Sequence, residues 1–124
     1  MPSADRHKKQ RQRNADAYVS LGKDQSPYIE WAVTVLFYMG VHAVEEYLAS
    51  LTPSLCSSNH TQRYRWIADK VPAAAAKLRT LEEASRTARY DCAWAQIKDR
   101  EVLKFEAIAT QEIPRLLQLD ATRV

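Results

Sequence analysis

The sequence predicts an all-α protein, an up-and-down bundle of four or five helices in a single domain. Three observations carry this. Only two glycines occur, Gly22 and Gly40, too few for the tight turns of an all-β domain of this size. One long segment, Pro27 to about Leu51, is apolar on most sides and has no break. Capping residues recur between periodic segments along the rest of the chain.

The first helix is expected over Ala4 to Leu21, charged in its front half, with Ala15, Tyr18, Val19 and Leu21 as a weak apolar side. Gly22 suits the left-handed position that closes a helix. Ser26-Pro27 reads as cap and first residue of the second helix. That helix carries Ile29, Trp31, Val33, Leu36, Phe37, Met39, Val41, Val44 and Leu48, and must be surrounded by others.

Thr52 to Ser58 reads as a loop. Asn59 caps a third helix, with Gln62 three residues on as in a capping box. Pro72 ends that helix and begins a fourth, favoured by the alanine run 73–76. Residues 91–98 form a connection, and Asp99 is the expected cap of the last helix, where Pro114 predicts a kink or a break.

Charge is unevenly placed. Residues 1–13 hold five basic and one acidic side chain, residues 14–59 one and five, and residues 60–90 seven and three. Two basic segments around an acidic centre suit a polyanionic partner. At the start, Arg6, Lys8, Lys9, Arg11 and Arg13 are expected to form a diffuse positive collar on a frayed end. The run Trp31 to Val44 is too short to span a bilayer, so no membrane contact is expected. No secretory signal is read at the start, and Cys56 and Cys92 read as small buried hydrophobes in a reducing cytoplasm.

Three clusters could carry chemistry. His42, Glu45 and Glu46 lie at i, i+3 and i+4 on the central helix. His60 and Arg63, with Tyr64, occupy the first turn of the third helix. Ser85, Arg86, Arg89 and Tyr90 close the fourth. Metal ligation is not supported: no Glu-x-x-His unit occurs, and Cys56 and His60 lack two further ligands at a recognisable spacing. A nucleophile elbow and a phosphate loop are likewise missing, and no cofactor is expected. What remains is acid–base or anion-binding work by His60, Arg63, Arg86 and Arg89. The competing reading is internal pairing of these groups with Glu45, Glu46, Glu82 or Glu83.

The blocks YIEWAVTVLFYMGVHAVEEYLA, NHTQRYRWI and SRTARY, in this order, resemble the HEPN superfamily of small helical proteins. The residues that carry the likeness are Trp31, Ala32, Val33, Phe37, Tyr38, His42 and Glu45, then His60 and Arg63, then Ser85, Arg86, Arg89 and Tyr90, over about residues 11–90. The resemblance implies an up-and-down helical bundle that often dimerises, so a homodimer that meets RNA or another polyanion is expected. Many relatives are metal-independent ribonucleases of defence or toxin-type systems, and others are non-catalytic interaction modules. The usual Arg, four to six residues, then His is absent here, so no catalytic residue is assigned. His42, His60, Arg63, Arg86, Arg89 and Tyr90 remain the candidate anion site, with Glu45 and Glu46 as internal partners. The alternative is a dimeric assembly module whose polar groups hold its own helices together.

Overall fold

The computed structural model describes residues 2–124, and among them there are helices and no strand. Helix α1 spans Ala4–Leu21, α2 Ile29–Ser50, α3 His60–Lys70, α4 Pro72–Arg89, α5 Asp99–Ala107 and α6 Ile113–Leu116. The central helix α2 packs chiefly on α1 and α4, while α3 lies on α4 and the α5–α6 segment covers α2 and α4. The expected all-α bundle is therefore what the chain forms.

The ends of the helices follow from local chemistry. The Ser3 hydroxyl accepts the Arg6 N–H at 3.2 Å, and α1 closes on Gly22 at φ +103°, a conformation that L side chains rarely adopt. Residues 4–13 are helical, as the expected first helix has it, so this end is not frayed, and Arg11 leaves the expected collar because it is only 2% exposed. Helix α2 begins at Ile29, two residues later than the Ser26-Pro27 start. The Ser26 hydroxyl takes the Tyr28 N–H at 3.0 Å, which closes a turn before the helix instead of capping it.

Asn59 caps α3 as expected, accepting the Gln62 N–H at 2.9 Å. The returning bond is displaced by one residue, since the Gln62 side chain accepts from the Ser58 N–H at 2.8 Å. Asp99 is the first residue of α5 and not its cap. The Lys98 N–H goes to the Glu101 carboxylate at 3.1 Å, and the Asp99 carboxylate holds the Gln25 side chain at 3.0 Å. Cys56 is partly buried, but Cys92 is exposed, in the connection after α4, where it stands at φ +54°.

The expected irregularity around Pro114 is a π-turn over Ile108–Glu112, after which α6 resumes. Proline has no N–H to return to the carbonyl four residues back. The Thr110 carbonyl freed in this way accepts the Thr122 N–H at 3.0 Å, which fastens Thr122 to the turn between α5 and α6. At the centre, a Cβ placed on Gly40 would meet Leu78 at 3.0 Å, Leu81 at 3.1 Å and Ile113 at 3.3 Å. Helices α2, α4 and α6 thus cross closely at Gly40, where a side chain would require these three neighbours to shift by a few tenths of an ångström.

Candidate functional site

The candidate residues do not form one site. They separate into a closed polar layer between α1, α2 and α3, and an open groove between α3 and α4.

In the closed layer each charge is answered. Glu46 accepts from Arg11 Nε at 3.0 Å and Nη2 at 2.8 Å. Arg11 Nη1 also donates to the Thr122 hydroxyl at 2.7 Å and the Asp120 carbonyl at 3.1 Å. Glu45 accepts from Arg63 Nε at 2.7 Å and from the Ser57 hydroxyl. His42 Nδ1 meets His7 Nδ1 at 3.0 Å, so one imidazole donates and the other accepts. Burial holds both histidines below their ordinary range. His42 is pushed down to about 4, since its neighbours His7 and Arg63 add to the desolvation and Glu45 opposes it. For His7 burial outweighs the opposing pull of Glu45 and Glu46. His42, Glu45, Glu46 and Arg63 are therefore spent on joining helices.

The groove has a volume of about 770 Å³. Helix α3 contributes His60, Tyr64 and Arg65, and α4 contributes Arg79, Glu82, Arg86, Arg89 and, just past its end, Tyr90; Tyr38 comes from α2. Four guanidiniums thus face one carboxylate. The Tyr64 hydroxyl donates to Glu82 Oε2 at 2.9 Å, and burial with this bond pushes its ionisation up. Arg79 stacks on the Tyr64 ring, 4.4 Å from its centroid. Arg86 stands 3.8 Å from Glu82 and is mostly exposed. Arg89 lies 4.9 Å from the Tyr90 ring, and its buried Nε has no hydrogen-bond partner among the described residues. An internal carboxylate partner for Arg89 is not present among them. Ser85 is lost to the core, sharing a 2.9 Å hydrogen bond with Thr34.

His60 stands at the rim, exposed, where Arg63 Nη1 donates to its Nδ1 at 2.6 Å. A guanidinium has no lone pair, so Nδ1 must accept and the ring proton of the neutral imidazole sits on Nε2. His60 consequently offers a donor, matching the four arginines in sign.

Of the candidate residues, His60, Arg86, Arg89 and Tyr90 converge here, while His42 and Arg63 do not. Sequence reasoning missed Arg65 and Arg79 in the groove, and His7 and Arg11 in the closed layer. Carrying the Arg86–Arg89 register back along α4 would have reached Glu82 and Arg79. The basic start of the chain contributes little: besides buried Arg11, Lys8 pairs with Asp120 at 2.8 Å and Lys9 with Asp5 at 3.1 Å.

Among the described residues, no group of three or more His, Cys, Asp or Glu side chains is arranged to hold a metal ion. No helix among them is long and apolar enough to cross a membrane. Set against known family models, curated proteins and solved structures, the chain matches none.

Proposed function

We propose that this chain is a HEPN-like helical protein of the cytoplasm that binds RNA, or another polyanion, in the groove between α3 and α4. The observation that carries the reading is the charge imbalance there: Arg65, Arg79, Arg86 and Arg89 line the groove against one carboxylate, Glu82, whereas Arg11 and Arg63 are neutralised elsewhere. Exposed Tyr90 and Tyr38 beside the cations give flat faces on which bases can stack. A ribonuclease of a defence or toxin-type system would need a proton acceptor at the ribose 2′-hydroxyl. With its Nδ1 taken by Arg63, His60 presents Nε2–H, so the geometry favours binding without cleavage.

The test is fluorescence anisotropy with labelled single-stranded RNA over a salt series. Each neutralised phosphate adds about −0.7 to the logarithmic salt slope, so the Arg86→Ala, Arg89→Ala double variant should flatten it by roughly 1.4. An unchanged affinity and slope in that variant would overturn the reading. The RNA should remain intact with chelator present; cleavage lost in His60→Ala would show instead that the site is catalytic.

A second reading, a dimeric assembly module, is favoured by a different observation. Tyr28, just before α2, and Trp31 and Tyr38 on it stand exposed, with Val35 half-buried between the last two. Two-fold pairing through such a stripe is the common form of self-association. Light scattering at micromolar concentration should give twice the 14.2 kDa chain mass, and a species of 14.2 kDa alone would count against the dimer.

A further inference from the structure

A groove suited to phosphate alone gains nothing from a carboxylate, since like charge repels the ligand. Glu82 is nonetheless fixed in the middle of this one. Its Oε2 is held by the Tyr64 hydroxyl at 2.9 Å. Its Oε1 accepts no hydrogen bond among the described residues, stands 3.8 Å from Arg86 Nη1, and is not shut off from solvent. One oxygen is anchored and the other is offered.

The arrangement along α4 says what would meet it. Arg79 lies three residues before Glu82 and Arg86 four residues after it, so a cation stands about one helical turn on either side, on the same face. Along an RNA strand a 2′-hydroxyl lies between successive phosphates. A carboxylate is the side chain that accepts from a ribose hydroxyl, and deoxyribose has no such donor. We propose that Glu82 is a specificity-determining residue that accepts the ribose 2′-hydroxyl of a single-stranded ribonucleotide segment whose phosphates lie on the flanking arginines, so that the groove distinguishes RNA from DNA. This rests on the groove being a polyanion site.

The experiment compares three fluorescently labelled decamers, with chelator present: uridylate, deoxyuridylate, and 2′-O-methyl uridylate. They share base and charge and differ only at the 2′ position. The wild-type protein should bind the ribose strand about tenfold more tightly than either of the others, the size of a hydrogen bond to a charged acceptor. The 2′-O-methyl strand keeps the oxygen but has lost the proton, so it should behave as the deoxy strand does. In Glu82→Gln the amide oxygen still accepts from Tyr64, which preserves the fold. The preference should disappear, and the deoxy strand should bind more tightly because a negative charge has gone. Equal binding of ribose and deoxy strands by the wild-type protein, or an undiminished preference in Glu82→Gln, overturns the assignment and leaves the groove reading intact. No binding of any strand overturns both. The comparison of strands on the wild-type protein stands whatever the variant does.

Discussion

Arg11 and Arg89 carry the same guanidinium, and each ends up largely inside the protein, but their surroundings are opposite. Arg11 lies in the closed layer with a carboxylate, a hydroxyl and a carbonyl as acceptors. Arg89 lies beside the open groove with a tyrosine ring against it and an Nε that has no acceptor among the described residues. Glu45 and Glu82 repeat the contrast from the acidic side: the first receives Arg63 and Ser57, and the second keeps one oxygen for whatever enters. The teaching is that residue type does not tell an answered group from an unanswered one here. The hydrogen-bond partners do, and the difference matters because a buried charge left alone is costly unless something arrives to meet it.

The comparison can be broken most directly at Arg11. Arg11→Ala leaves Glu46 buried without its cation and should cost about 3–5 kcal/mol in urea unfolding. Deleting residues 1–13 should do at least as much, where a merely solvated collar would leave the midpoint in place. A loss below ~1 kcal/mol would mean that the closed layer is wet.

Next in size is the response to acid. The folded pKa of His42 is about 4 against 6.5 ordinarily, and that of His7 is also lowered. The unfolded chain therefore takes up protons below about pH 6.5 while the folded chain does not. Stability from His42 is present above that pH and is lost as pH falls towards 4, by on the order of 2 kcal/mol once its partial exposure is allowed for. His42→Gln should flatten the melting midpoint between these values; an equally steep fall in that variant would place the acid sensitivity elsewhere.

The smallest change in stability is expected at Arg89, which has no carboxylate to abandon. Arg89→Ala should shift unfolding by less than ~1 kcal/mol yet weaken RNA binding by roughly tenfold. The opposite pattern, a large loss of stability with binding kept, would move Arg89 into the same class as Arg11 and erase the contrast between the two regions.

Much of the fold was legible because it is written locally. Gly22, Asn59, Pro72 and Pro114 each act within one turn of the backbone, and the apolar periodicity of α2 needs no knowledge of its neighbours. The site was legible only in part. His60, Arg86, Arg89 and Tyr90 could be singled out by type and spacing, but not separated from Arg63, whose carboxylate partner is 18 residues away. Arg11 was hidden by its company in a basic run. The signal that could have exposed it is the stripe His7, Arg11, Ala15 and Tyr18, at spacings of a helix face, all four of which are buried. Its partners Asp120 and Thr122 are more than a hundred residues distant, beyond any periodicity.

That distance has a consequence in time. Pro114 frees the Thr110 carbonyl, Thr122 takes it, and the hydroxyl of Thr122 receives Arg11, which lies 111 residues earlier in the chain. During synthesis Arg11 and Glu46 are both made long before the residues that seal them, so their pair must stay hydrated until the tail arrives. Contacts of such long sequence separation form late, after the loop between them has been closed. The first helix packs on α2 without these residues, but Arg11 is closed over only once Asp120 and Thr122 are in place. The carbonyl that Pro114 leaves free thus helps to hold the segment that closes over Arg11.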